Sequence, residues 1–172
     1  MKRFLFFVAL VVVASLVAPF GARAGTTTAQ SMGAGPHGYD WLVGTWSCTN
    51  SIPSPVGEPK TSTFTSSLTD SGAVLIRVKG AHFDETAYIA YAPKTKSWSV
   101  PSAFSDGSYE LETSTQSGPK VVFAGTYYPA SGASMKVRDT FTEPSTTKET
   151  DRGEFQAGGS WKTLYNISCT KT

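Results

Sequence analysis

Several side chains in this sequence could in principle do chemistry. His82-Phe83-Asp84-Glu85 sets an imidazole beside two carboxylates. A zinc site needs three or four convergent ligands. The other histidine, His37, stands far upstream, and no cysteine cluster completes the set, so a solvated hairpin turn is the reading preferred. Tyr165 offers a phenolate of the kind that can ligate haem iron, although a core tyrosine with a hydrogen-bonded hydroxyl is the commoner role. Serine is abundant, but there is no Gly-x-Ser-x-Gly elbow and histidine is too scarce to supply a triad base. Glu149, Asp151, Arg152 and Glu154 put carboxylates near a guanidinium, a combination that can serve acid–base work. On a strand it reads instead as a solvated face that blunts association. No catalytic residue and no metal site are therefore expected. Asn166-Ile167-Ser168 is a glycosylation sequon inside a predicted strand.

The two cysteines carry more information. Cys48 and Cys169 are the only ones. An even, minimal count in an exported chain reads as one disulfide; buried free thiols or an incomplete metal pair are the other readings. Export is read from the start of the chain. Lys2 and Arg3 precede an uncharged apolar run from Phe4 to Val17, Pro19 and Gly21 break it, and Ala22-Arg23-Ala24 has the small-x-small cleavage pattern. The run is shorter than the roughly 20 residues of a spanning helix. We expect a cleaved signal peptide over 1–24, with the cut after Ala24 and a secreted or periplasmic product. Lys2, Arg3 and Arg23 leave with it, so 15 basic residues become 12 against 13 acidic ones and the formal charge moves from +2 to −1. That removes the basic footprint that nucleic acid or an anionic membrane would require.

Those residues must be held by a framework, and its elements are legible as strands. Residues 25–38 are rich in Thr, Gly and Ala without an apolar period and read as a flexible leader. From Tyr39 to Thr172 short runs of Val, Ile, Thr, Tyr, Phe and Trp alternate with Pro, Gly, Asn and Asp breaks, an all-β pattern. Ten strands are predicted, beginning at Gly44 and ending at Thr170. Pro101 should end or bulge the fifth strand, and Tyr39 to Val43 should form a helical turn plugging one end.

Alternation assigns faces. Trp46 and Cys48 share one, as do Trp98 with Val100, Tyr109 with Leu111, and Trp161, Tyr165, Ile167 and Cys169; Val137, Asp139 and Phe141 face together as well. In a ten-strand meander the last strand runs antiparallel to the first. Pairing Thr45 near Lys171 then brings Cys48 to Cys169 as a seam across a closed barrel. A two-sheet sandwich could also join the termini.

The string Asp40-Trp41-Leu42-Val43-Gly44-Thr45-Trp46 resembles the calycin barrels, whose first strand opens with Gly-x-Trp. With ten strands and no C-terminal helix, the chain is most similar to the nitrobindin-like group, and within it to secreted barrel domains of unknown function. Tyr91 to Trp98 and the Asp106-Gly107 turn match hairpins common in those domains. The barrel domain is expected over 39–172, and the resemblance covers roughly Asp40 to Lys171 and implies a closed barrel. It also implies haem for members with an axial histidine late in the barrel, but Trp161 to Thr170 contains none. The arginine that lipocalins pack on the Gly-x-Trp tryptophan is missing too, with only Lys162 and Lys171 near.

The expectation is a binding barrel for a small, largely apolar ligand, lined by Trp46, Trp98, Tyr109, Phe123, Asp139, Phe141, Trp161 and Tyr165, with no required cofactor. The alternative fates of those aromatics are a packed core, a haem site, or a ligand-free interaction module acting through the Pro-rich loop Ile52 to Lys60.

Overall fold

A computed structural model describes residues 38–52, 60–80, 83–116 and 118–172. The expected signal peptide, the leader up to residue 37, His82 and most of the Ile52–Lys60 loop lie outside the described residues. β-Branched and aromatic residues alternating with polar ones give ten strands: β1 (Gly44–Asn50), β2 (Thr61–Leu68), β3 (Val74–Lys79), β4 (Asp84–Ala92) and β5 (Ser97–Phe104). The second half comprises β6 (Tyr109–Ser114), β7 (Lys120–Tyr128), β8 (Met135–Ser145), β9 (Lys148–Ala157) and β10 (Ser160–Lys171). Each strand pairs antiparallel with its sequence neighbour, and β1 pairs with β10, so the sheet closes on itself. The fold is a single up-and-down barrel, and the sandwich alternative is excluded. Closure leaves no edge strand exposed.

Turn chemistry sets the hairpins. Gly158 and Gly159 both have positive φ, 57° and 79°, and join β9 to β10 directly after the Ala157–Ser160 pair. Two consecutive left-handed residues are what a two-residue hairpin demands, and glycine adopts them without penalty. Pro101 behaves otherwise than expected. β5 runs straight through it, but the β4–β5 ladder is interrupted there, resuming on either side in the same register at Ala87–Ser102 and Ala90–Ser99. The missing N–H costs pairing locally without ending the strand.

One end of the barrel is filled. Tyr39–Leu42 forms a 3-10 turn, as the plug expectation required. Leu42 accepts hydrogen bonds from Trp46 Nε1 (2.6 Å) and Ser66 Oγ (2.5 Å). Tyr39 packs edge-on to Trp98 and against Phe123, with centroids 4.8 and 6.0 Å apart, and Trp46 stacks on Phe64 at 5.4 Å. Trp46 and Phe123 are fully buried. Burying side chains of this size stabilises the fold by about 1.5–3 kcal/mol each.

The seam joins the same end. Cys48 and Cys169 are directly opposed, with Cα atoms 4.1 Å apart and a disulfide between them. Lys171 pairs with Trp46 rather than Thr45, and that one-residue difference is what puts the cysteines squarely across from each other. Lys171 also holds this end together. Its ammonium lies 5.4 Å from the Trp46 ring centroid and donates to the Trp41 carbonyl at 3.0 Å. Gly44, at φ 137°, makes room: a Cβ there would come within 2.8 Å of the Lys171 stem.

Candidate functional site: an acid-lined cavity inside the barrel

Beyond the plug the barrel is hollow. A cavity of about 360 Å³ runs from Leu42 and Phe64 to the far rim at Phe83, Phe104 and the Ser105–Ser108 turn. Its walls differ in chemistry. Ile76 and Val78 on β3, Ala87 and Ile89 on β4, and Val100 on β5 are apolar. Carboxylates project from the other strands: Glu110 and Glu112 on β6, Asp139 on β8, and Glu149 and Asp151 on β9, with Glu85 and Asp106 towards the rim. No Lys, Arg or His is among the described lining residues.

Alternation explains why the acids arrive inside. Ser102 and Val100 of β5 face inward and pair with Glu110 and Glu112, so those two glutamates face inward as well. On β9 the charged stretch splits by parity. Glu149 and Asp151 point into the cavity, while Arg152 and Glu154 lie on the outer face. There Glu154 bonds Arg138 (2.7 Å) and Arg152 (2.9 Å). The expectation of a solvated face for the whole stretch is corrected: Arg152 is exposed, while Glu154 is buried beneath its two arginines.

A crossing contact anchors the acid wall. Asp139, Gly153 and Tyr165 are register partners on β8, β9 and β10. The Tyr165 ring lies over Gly153, where a Cβ would overlap it, and its hydroxyl donates to Asp139 Oδ2 at 2.7 Å. Oxygens of Glu110, Glu112 and Asp139 all lie within 4.8 Å of one another. Glu112 Oε1, Glu149 Oε2 and Asp151 Oδ1 are buried and have no hydrogen-bond partner, and Glu112 and Glu149 are only 3% and 5% exposed.

Enclosure moves these groups' protonation. Burial, then the neighbouring Asp139 and Glu110, push Glu112 up to about 10. Burial raises Asp139 to about 7 against the opposing effect of the Tyr165 hydrogen bond, and burial raises Glu149 to about 7. Asp151 and Glu85 are raised by burial too, Asp151 further by the Asp139 charge. Tyr165 is held far above its usual range by burial and then by the Asp139 charge, so it remains a neutral donor. A cavity of this kind holds protons near neutral pH and attracts positive charge. The three clustered carboxylates could also hold a hard divalent cation through oxygen.

The residues expected to line the site sort into three groups. Asp139, Phe141 and Tyr165 line the cavity together. Trp46, Trp98 and Phe123 are buried in the packed end instead and do not reach the cavity. Tyr109 and Trp161 face outward, correcting the inward assignment. Tyr109 is 45% exposed and stacks on Tyr128 at 4.5 Å, because Glu110 and Glu112 take the inward parity of β6. For Trp161 the cause is a register shift in β10 between Thr163 and Tyr165. One extra residue in a strand reverses the faces on its two sides, and Trp161 packs outside under Arg138, 4.4 Å from its ring centroid. Glu110, Glu112, Glu149 and Asp151 were missed by face assignment, since acid is ordinarily the mark of the solvent side. Asn166, of the sequon, donates from its amide to Ser51 Oγ at 3.1 Å.

Haem would meet neither a free phenolate, since Tyr165 has its phenol committed to Asp139, nor a histidine among the described lining residues. The carboxylate wall would also repel the anionic propionates. Compared with protein-family models and with curated proteins, the chain matches none. Among the described residues no helix is long and apolar enough to cross a membrane.

Proposed function

We propose that this protein is an exported binding barrel that encloses a small, largely apolar molecule, related in design to the nitrobindin-like members of the calycin group. The observation that carries this reading is the cavity of about 360 Å³ left between a solid aromatic plug and the far rim. Ligand sites of small-molecule carriers start at about 300 Å³, combine apolar walls with a few placed polar groups, and favour the mouths of β-barrels. The aliphatic wall of β3, β4 and β5 supports an apolar ligand body. Export is supported by the signal-like first 24 residues and by a disulfide that suits an oxidising compartment. Kinship is supported by Gly44-Thr45-Trp46 opening a ten-strand closed meander.

The test is binding of a neutral apolar dye. Nile red titrated into the purified mature protein should saturate at one per barrel, and native mass spectrometry should find the complex. Replacing Ala87 by Trp should fill the cavity from its apolar wall and abolish binding. Failure of the dye to bind, or binding unchanged by Ala87→Trp, sinks the carrier reading.

A further inference from the structure

The acid wall exceeds what an apolar ligand needs. Seven of the chain's 13 acidic residues line the cavity, and no basic residue among the described lining offsets them. Two of them, Glu112 and Glu149, are more than nine-tenths buried and leave a carboxylate oxygen without any hydrogen-bond partner. Buried polar atoms are ordinarily satisfied, and buried charges are ordinarily paired. Buried carboxylate oxygens left without a partner at an enclosed space describe half of an interaction whose other half is a cation.

We propose that the ligand of this barrel carries a protonated amine on its apolar body, and that Glu110, Glu112 and Asp139 receive the ammonium head. This deepens the binding-barrel reading and rests on it. The geometry selects an ammonium. An R–NH3⁺ group has three donors, and charge-assisted bonds of about 2.8 Å at tetrahedral angles need acceptor oxygens about 4.6 Å apart. The three carboxylates offer oxygens within 4.8 Å of one another. A bare metal ion would use these oxygens but leave the rest of the cavity and its aliphatic wall without a role. An amine with an alkyl or aryl body uses both walls at once. Glu149 and Asp151 add negative potential beside the trio, and Tyr165 fixes the Asp139 carboxylate by its hydrogen bond. Burial and mutual repulsion already hold Glu112 and Asp139 in their protonated forms to higher pH than usual, a strain that an arriving cation relieves.

The experiment compares hexylammonium, 1-hexanol, hexanoate and calcium chloride by calorimetry on the mature protein, with Nile red as the neutral reference. Hexylammonium should bind at one per barrel, about tenfold or more tighter than 1-hexanol, with hexanoate weaker still. Glu112→Gln and Asp139→Asn should each weaken hexylammonium by about tenfold while Nile red affinity holds. Asp70→Asn, in the exposed turn between β2 and β3, should change neither. Near-ultraviolet circular dichroism confirms that each variant is folded, and the two single variants back one another should either fail to fold. If 1-hexanol binds as well as hexylammonium, or calcium binds more tightly than the amine, the ammonium assignment is overturned while Nile red saturation leaves the binding barrel standing. If Nile red does not bind either, both readings fall.

Discussion

The Tyr165 hydroxyl donates a 2.7 Å hydrogen bond to Asp139 across the bare backbone of Gly153. Three strands contribute one residue each, and the middle one must lack a side chain. Gly153→Ala places a methyl group in the ring's position, so Tyr165 must lift and the bond must break. We expect a loss of about 1–3 kcal/mol in urea unfolding, the usual cost of overpacking. Tyr165→Phe keeps the ring and removes only the donor to a buried carboxylate, and should cost about 1.5–3 kcal/mol at pH 8, less where Asp139 is neutral.

Stability should fall as pH rises. Asp139 and Glu149 move from ordinary values of 3.8 and 4.5 to about 7 in the folded barrel, and Glu112 to about 10. Between the unfolded and folded values the native state binds more protons than the unfolded chain, so ΔG of unfolding decreases with pH. The stabilisation is complete below about pH 4 and is lost progressively through pH 7, with Glu112 extending the decline towards 10. Thermal unfolding of the mature protein should therefore show a higher Tm at pH 5 than at pH 8, and a flat or opposite trend would contradict the enclosed carboxylates.

Glu149→Gln isolates one of them. At pH 3 the Glu149 carboxyl is neutral in the folded and the unfolded chain alike, and the variant should match the parent. At pH 8 the parent must ionise a buried carboxylate whose Oε2 has no partner, so the variant should be more stable by on the order of 3 kcal/mol. Chemical denaturation at the two pH values reads the difference directly.

The seam should matter for stability. The disulfide spans a sequence separation of 121. The chain-entropy model assigns a loop of that length about 4–5 kcal/mol, with delivered values often lower. Cys48→Ala with Cys169→Ala should lower the denaturant midpoint accordingly, and should leave Nile red binding intact in the molecules that remain folded.

Haem added to the mature protein should produce no shifted Soret band, because Tyr165 is committed to Asp139 and the lining is acidic. A shifted band that Tyr165→Phe abolishes would overturn this.

Much of this barrel was readable from sequence. Period-two alternation, turn residues at regular intervals and two cysteines on matching faces pointed to ten antiparallel strands in meander order and to one disulfide, because each depends on neighbours in the chain or on a single long-range pair. Tyr39 to Val43 likewise marked the plugged end. Closure rather than a sandwich was decided by the β1–β10 pairing. What sequence could not decide was which face of β6 turns inward. Alternation pairs Tyr109 with Leu111 and Glu110 with Glu112, but it does not orient the pairs, and hydrophobicity orients them wrongly. It weighs only apolar core against water, whereas a hollow barrel has a third environment in which carboxylates face an enclosed space. The register with β5 made that choice. Trp161 failed for a related reason: the shift between Thr163 and Tyr165 leaves no mark in composition, yet one residue of slip sends every side chain before it to the opposite face. The fold was written in local periodicity, and the chemistry of the cavity was decided by register, which only the closed sheet imposes.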